Sequence, residues 1–342
     1  MFCLNSRSFR NWRSRTAMVN KHMAEILCII DGMTDPGFCA ADLQNLASMQ
    51  LIGYQDNTLG GEPETLSCVL HLLGVTDVPR HLRGYIEALG SGISVCSDDL
   101  ILRGSWYHLD ETGRYSAPCD APKELRNPLC RYYHLGHYKS LLIFPHMADR
   151  ISRISTCLPS SCVSRKAADL VPVGSDILKH VFLQCLSQER FMALWGQSVA
   201  AELMPFPQRA AVVCGKGTVK GIGKALGMDL IPVKGATGDT DTDLTEKVAA
   251  TLQAAQKYPF VLLHINGADE AAHRKKPMEK REFLKRVDAQ VLARLLTSPH
   301  RITVTSDHGT DPNTGQHLGG KQPVCALHEM RITQNAPVPL KF

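Results

Sequence analysis

Arg301-Ile-Thr-Val-Thr-Ser-Asp307-His308-Gly309-Thr310, followed by Gly315-Gln316-His317, decides how the rest of the chain is read. A short run rich in β-branched residues leads straight into an Asp-His pair, a glycine turn and another histidine. Such a run reads as a strand whose carboxyl end delivers two metal-ligand side chains into a loop. Open α/β sheets keep their chemistry outside the carboxyl ends of their strands. If other acidic and histidine residues reach the same rim, the chain is a metal-dependent hydrolase or transferase.

Working outward, Glu25-Ile-Leu-Cys-Ile-Ile-Asp31-Gly32 is an apolar run with Asp31 at its carboxyl end, the pattern of a fully buried parallel strand. Glu64 to Leu73 reads as a short buried helix stopped by Gly74, with Thr65 and Ser67 in its first turn. Hydroxyls there usually serve as caps, yet a helix start also suits phosphate chemistry. Downstream, Ala210–Cys214, Leu230–Val233, Phe260–Gly267 and Ile302–Thr305 read as strands. Val219–Met228, Asp243–Lys257 and Lys280–Leu296 read as helices between them. Strands alternating with helices imply parallel pairing with right-handed crossovers.

Between about Thr76 and Phe206 the texture changes to frequent turn signals, short β-like runs such as Leu100–Arg103, and a helical periodicity over Ile177–Trp195. The expected organisation is an α/β core of residues 22–75 and 210–342, a mostly parallel sheet flanked by helices. An α+β cap of residues 76–209 is inserted into it.

Composition bounds the function. The chain has 342 residues, 44% hydrophobic and 21% charged, which suits a globular protein with a sizeable core. No apolar run approaches the roughly 20 residues of a membrane span. The formal charge of +5 is mild, and no basic stripe interleaved with aromatics argues for nucleic acid. The 12 cysteines form no C-x-x-C pairs, and Cys28, Cys68 and Cys214 sit in apolar runs, so a reduced, cytoplasmic protein is expected. Residues 1–21 form a basic extension with Arg7, Arg10, Arg13 and Arg15 and no acid. Its composition is that of a transit peptide, but a disordered tail, or a start at Met18 or Met23, is the preferred reading.

Two more ligand-type residues follow the Phe260 strand: Asp269 and His273, spaced to share one face of a helical turn. The candidate set is then Asp31, Thr65 or Ser67, Asp269, His273, Asp307, His308 and His317. Each alone is more often structural. Jointly, five of them just behind strand ends and His317 in the last loop, they suit Zn, Mn or a similar divalent ion, singly or as a pair. Gly215-Lys-Gly217 fits neither common nucleotide loop and is set aside; Lys216 is read as a loop charge. His108, His134 and His137 are read as packed or exposed, and Trp106 and Trp195 as core.

This ordered set resembles the alkaline phosphatase superfamily, and most closely its archaeal-type cofactor-independent phosphoglycerate mutases. The resemblance runs through Asp31-Gly32-Met33, Arg83-Gly-Tyr-Ile-Glu-Ala-Leu-Gly90-Ser-Gly92-Ile and Asp99-Leu-Ile-Leu-Arg103. It continues in Gly235-Ala-Thr-Gly238-Asp-Thr-Asp, His264 to His273, and Ser306 through His317. It implies two divalent ions (Mn²⁺, Zn²⁺ or Co²⁺) and no organic cofactor. One ion would take Asp31, Asp307, His308 and the nucleophile, the other Asp269, His273 and His317. The nucleophile, Thr65 with Ser67 as runner-up, would carry the phosphoryl group between neighbouring hydroxyls of a small phosphorylated acid. Arg83 and Arg103 match positions that hold substrate phosphate or carboxylate; Lys220, before Gly221 at the start of a predicted helix, is read as a contact to the transferring phosphoryl group. The family's usual Ser-Asp-x-Ala-His is Thr65-Leu-Ser67-Cys-Val here, and its Thr-Gly ahead of the arginine is His81-Leu82. A metal-dependent phosphatase or phosphodiesterase therefore stands beside the mutase, and a third possibility is a protein that kept the fold and lost the chemistry.

Overall fold

The computed structural model describes residues 23–75, 77–158, 165–215 and 217–327. The basic extension and Lys216 lie outside them. The first part of the chain forms β1 (Glu25–Ile30), α1 (Gln44–Ser48), β2 (Gln50–Asp56), α2 (Thr65–Leu72) and α3 (Arg83–Ser91). The middle contributes β3 (Leu100–Leu109), β4 (Tyr115–Pro118), β5 (Arg131–Gly136), β6 (Lys139–Phe144), α4 (Asp176–Gln184) and β7 (Arg190–Ser198). Then come β8 (Ala210–Val213), α5 (Gly217–Ala225), β9 (Asp229–Leu230), α6 (Leu244–Ala255), β10 (Phe260–Ile265), α7 (Gly267–His273) and α8 (Pro277–Val287). The last stretch is α9 (Ala293–Leu296), β11 (Arg301–Thr305), β12 (Gly309–Thr310), β13 (His317–Leu318) and β14 (Lys321–Leu327).

A seven-stranded sheet has the order β2-β14-β11-β1-β10-β8-β9. The pairs among β11, β1, β10, β8 and β9 are parallel, and β14 and β2 add an antiparallel edge. The fold is thus α/β with a mostly parallel sheet. Alternate residues of β1 serve opposite layers. Ile26, Cys28 and Ile30 pack with Val248, Phe283 and Val291, while Leu27 and Ile29 pack with Leu66, Val69 and Ile222. Burial on both faces is why this strand is apolar throughout instead of alternating. Because β1, β10 and β11 run parallel, Asp31, Asn266 and Ser306 all emerge at the same rim.

The second sheet, β3 to β7, is antiparallel, with β3 paired to β4, β6 and β7. Its strands come only from residues 100–198. The helix α3 precedes it and lies against α5 at a glycine contact. A Cβ on Gly90 would stand 1.9 Å from the Gly217 carbonyl oxygen, and one on Gly221 1.9 Å from that of Ile86. The two helix backbones touch because neither glycine has a side chain.

Several elements differ from the sequence expectation. The helix expected over Ile177–Trp195 ends at Gln184, and its second half is strand β7. Phe191, Met192, Ala193 and Leu194 are buried consecutively, as a strand covered on both faces requires. β3 extends six residues beyond Arg103, to Leu109. The strand expected over Leu230–Val233 is two residues long, Asp229–Leu230; Pro232, just beyond it, has no N–H for a ladder. The helix expected from Lys280 starts at Pro277, a favourable first position, and is interrupted by a π turn over Asp288–Leu292. There the Asp288 carboxylate accepts the amides of Asn45 and Leu46 at 3.0 and 2.9 Å, capping α1. The ten cysteines described are all free thiols, with Cys28, Cys68 and Cys214 buried as expected. Among the described residues, no helix is long and apolar enough to cross a membrane.

Candidate functional site

Three strand ends build the site. β1 ends into Asp31, whose amide donates to the Ile265 carbonyl at 2.9 Å. β11 ends into Ser306, Asp307 and His308, stitched to β1 by Ser306. Its hydroxyl lies 2.8 Å from the Ile30 carbonyl and 2.6 Å from that of His308, and accepts from the Met33 amide at 3.1 Å. β10 ends into Asn266 and α7, which carries Asp269 and His273 one turn apart. Asn266 donates to Asp31 Oδ2 at 2.5 Å. Gly32 and Gly309 bridge in parallel, and a Cβ on Gly32 would lie 2.8 Å from both Asp269 Cα and Thr310 Oγ1. The close approach of these loops depends on that glycine.

These elements bring Asp31, Thr65, Asp269, His273, Asp307, His308 and His317 together. His308 Nε2 lies 3.6 Å from Asp31 Oδ1, 3.5 Å from Asp307 Oδ2 and 3.4 Å from Thr65 Oγ1. His273 Nε2 lies 3.3 Å from Asp269 Oδ2, and His317 Nε2 3.5 Å from Asp269 Oδ1. One ligand atom from each of Asp269, His273 and His317 falls within 4.8 Å of the others, and the same holds for Asp31, Asp269 and His308. Asp31, His264 and Asp307 form a third such group.

The histidine tautomers follow from their neighbours. Nδ1 of His308 faces the Gly309 carbonyl at 3.1 Å, Nδ1 of His273 that of Gly315 at 2.8 Å, and Nδ1 of His317 that of Pro63 at 2.6 Å. Carbonyls only accept, so each Nδ1 carries its proton and each Nε2 turns a lone pair toward the carboxylates. Nε2 of His273 and of His317 face each other at 3.0 Å. Two lone pairs at that distance need a positive charge between them, a proton or a divalent cation. Burial pushes the His317 imidazole down, but the adjacent Asp269 more than offsets it and holds it above its ordinary value. Burial, with His317 beside it, pushes His308 down to about 4, so it is neutral at pH 7.

The donor set fits divalent ions. Asp31, Asp269 and Asp307 are each at most 1% exposed, and three carboxylates so close in a dry site repel strongly unless cations lie among them. Oxygen and imidazole donors without thiolate suit Mn²⁺, Co²⁺ or Zn²⁺.

The remaining expected residues stand apart. The Ser67 hydroxyl donates to the Glu64 carbonyl at 3.1 Å, whereas buried Thr65 opens α2 beside His308. Arg83, Arg103 and Lys220 make no hydrogen bond or ion pair with the cluster among the described residues. Arg83 donates to Glu87 Oε1 at 2.7 Å and pairs with Glu64, and Arg103 pairs with the other oxygen of Glu87. Both guanidiniums lie over the Trp195 ring, at 5.2 and 5.9 Å. Burial pushes the Glu87 carboxyl up, but Arg103 and Arg83 together bring it down to about 2. Lys220 is half-buried on α5. His108, His134 and His137 are exposed, Trp106 is buried, and Trp195, expected in the core, is half-buried.

Sequence reasoning missed His264, Asn266 and Asn57. The first two sit in the quoted stretch His264 to His273, so their signal was available. Asn57 had none: it donates to the carbonyls of Ser306 and Asp307 at 2.8 and 3.0 Å across the antiparallel edge.

Comparison with known proteins gives three findings. Residues 200–338 match the family model of the Metalloenzyme superfamily. A 2,3-bisphosphoglycerate-independent phosphoglycerate mutase of Methanococcus aeolicus is 34% identical over 310 residues, spanning 78% of this chain and 76% of its own. Among solved structures, a Pyrococcus horikoshii protein superposes with a TM-score of 0.66 at 22% identity over 89% of this chain and 87% of its own. The Thermoplasma acidophilum cofactor-independent phosphoglycerate mutase does so with 0.51 at 18%, over 90% of each. At those identities the two structures speak for the fold.

Proposed function

This chain belongs to the family of 2,3-bisphosphoglycerate-independent phosphoglycerate mutases, metalloenzymes of the alkaline phosphatase type, and we propose that it interconverts 2- and 3-phosphoglycerate through phosphorylated Thr65. The observation that carries this reading is the Thr65 hydroxyl, buried at the first position of α2 and 3.4 Å from His308 in the carboxylate–imidazole cluster. In this reading residues 22–75 and 210–342 form the catalytic core and 76–209 the cap, and the enzyme works in the cytoplasm.

Asp31, Asp307, His308 and Thr65 would hold one ion, and Asp269, His273 and His317 the other. Bound divalent ions would supply charge stabilisation to the phosphoryl oxygens and make the threonine hydroxyl more acidic. The chain supplies position. The first turn of α2 directs backbone amides at the place where phosphoryl oxygens gather. Thr65 Oγ1 loses its proton and forms a bond to phosphorus as the bond to the substrate's ester oxygen breaks, and that oxygen leaves as a hydroxyl by taking up a proton equivalent to the one Thr65 released. The neighbouring hydroxyl of glycerate then gives up its proton and attacks the phosphothreonine, the Thr65 Oγ1–phosphorus bond breaks, and Oγ1 takes up a proton to restore Thr65. Between the two steps the acid must stay bound, the task assigned to Arg83, Arg103, Lys220 and the cap.

A phosphatase is the second reading, favoured by one observation. Arg83 and Arg103 are already engaged by Glu64 and Glu87, which leaves them less able to retain a dephosphorylated acid. Purified protein with Mn²⁺, Co²⁺ or Zn²⁺ is given 3-phosphoglycerate, and 2-phosphoglycerate and free phosphate are followed. The mutase yields the isomer without phosphate, whereas phosphate alone means the phosphatase. Thr65→Ala is expected to abolish transfer and Ser67→Ala to spare it. Full activity in both variants overturns the covalent mechanism, whereas full activity in Thr65→Ala with loss in Ser67→Ala moves the nucleophile to Ser67.

A further inference from the structure

Thr310 has no part in the ligand set above, yet it touches three of its members. Its hydroxyl donates to Asp269 Oδ1 at 2.7 Å and lies 3.4 Å from His308 Nδ1. Its backbone pairs with His317 in the short ladder of β12 and β13. Asp269 stands with His273 and His317 in the group assigned to one ion, and its carboxylate also comes within 4.8 Å of ligand atoms of Asp31 and His308, which are assigned to the other. Whatever fixes the Asp269 carboxylate therefore decides how it divides between the two positions.

Thr310 is itself held by a buried cation. Lys280 on α8 is 1% exposed; its ammonium donates to the carbonyls of Thr310 at 2.7 Å and Thr34 at 3.2 Å and pairs with Asp35 at 2.7 Å. The Thr310 amide donates to the same Thr34 carbonyl at 2.9 Å. One lysine thus ties the loop after β1 to the loop after β11, with Thr310 between them. The hydroxyl's place is set from behind by backbone contacts.

Building on the two-ion reading, we propose that Thr310 is a positioning residue that occupies Asp269 Oδ1 and thereby assigns this carboxylate to the ion held with His273 and His317. A hydrogen bond to one oxygen orients the carboxylate and leaves the other, Oδ2, toward His273. Partners of this kind behind a metal ligand typically govern about 10- to 100-fold in metal affinity.

The test measures Zn²⁺ and Mn²⁺ binding to metal-stripped full-length protein by competition with a chromogenic chelator, for wild type, Thr310→Val, Thr310→Ser and Asp269→Asn. Thermal unfolding in excess chelator checks that the variants fold. Thr310→Val is expected to weaken one binding step on the order of 10- to 100-fold, and Thr310→Ser, which keeps the hydroxyl, to stay within about 3-fold of wild type. Val within about 2-fold of wild type, or Ser as weak as Val, overturns the proposal; the latter would mean that the methyl group acts by packing. Asp269→Asn separates the two levels. If it binds ions like wild type, the ion site itself is misassigned. If it loses a step while Thr310→Val does not, the role given to Thr310 alone fails.

Discussion

Replacing Glu87 by glutamine keeps the shape of the side chain and removes its charge from between two buried guanidiniums. The carboxylate is 4% exposed, receives Arg83 Nε at 2.7 Å on Oε1 and pairs with Arg103 through Oε2. Opposite charges about 4 Å apart at an effective dielectric of about 20 attract by about 4 kcal/mol, so the two pairs contribute about 8 kcal/mol gross. Desolvation of a buried ion takes back several kcal/mol. The residual is visible in the acidity: a carboxyl lowered from 4.5 to about 2 has gained about 3 kcal/mol on folding. Losing one partner of a buried pair costs about 3–5 kcal/mol because the other charge is stranded. Both routes give a Glu87→Gln destabilisation of about 3–4 kcal/mol. The sign with pH follows. The folded pKa is depressed, so the contribution is complete above the unfolded value near 4.5 and is lost as pH falls toward about 2. Urea unfolding at pH 7 and at steps down to pH 3, followed by circular dichroism and tryptophan fluorescence, measures both. A variant within about 1 kcal/mol of wild type at pH 7, or one whose deficit does not shrink below pH 4.5, would refute this account of the arginine pair.

Four further outcomes are expected. Chelation should abolish phosphoryl transfer, and Mn²⁺, Co²⁺ or Zn²⁺ should restore it; activity that survives exhaustive chelation removes the metal mechanism. Gly221→Ala should cost at least about 1–3 kcal/mol by overpacking, since its Cβ would meet the Ile86 carbonyl at 1.9 Å; an unchanged urea midpoint would contradict the helix contact. Lys247 is fully buried, donates to the His264 carbonyl at 3.0 Å and is lowered by burial to about 8. Lys247 should therefore contribute stability that rises between pH 8 and 10.5, where only the unfolded chain keeps that proton. It is read as the difference between wild type and Lys247→Met, because buried thiols such as Cys28, Cys68 and Cys214, pushed up by burial, act in the opposite sense. In Lys247→Met this rise should vanish, and persistence of the same slope assigns it elsewhere. In metal-stripped protein, His308 binds its proton only near pH 4 when folded but near 6.5 when unfolded. Stability should fall as pH is lowered from 6.5 to about 4, and less steeply in His308→Asn.

The rim of the parallel sheet was legible because Asp31, Asp307 and His308 follow apolar runs that have one consistent interpretation as strands. Three parallel strands in register then leave little freedom in where their ends meet. The run from Phe191 to Leu194 was not legible as strand because a continuous apolar segment lacks the alternation that separates strand from buried helix. It is settled by its antiparallel neighbour β3, distant in sequence. The same reason hid Asn57, Glu87, Thr310 and Lys280. Each acts through a partner on another element, and nothing in the local spacing of a lone asparagine or lysine announces that partner.

The start of α2 is where residue pattern and surroundings bear most on the chemistry. In the family's Ser-Asp-x-Ala-His, an acid and a histidine accompany the nucleophile; the matching positions here are Leu66 and Val69. Both are buried in the apolar layer between α2 and the sheet, Val69 completely. Restoring a carboxylate and an imidazole at these two places would bury them among Leu27, Ile29 and Ile222, at a cost of several kcal/mol for an unpaired charge. The packing of this helix has therefore closed off those positions as sources of proton transfer or substrate contact. Outside the carboxylate–imidazole cluster, the charge adjoining Thr65 in sequence is Glu64, which pairs with Arg83. An anionic substrate that used Arg83, as proposed, would have to share it with Glu64 or displace it. On the proposed reading of Arg83 as a substrate residue, substrate handling would turn on this pair of charges, outside the family's motif.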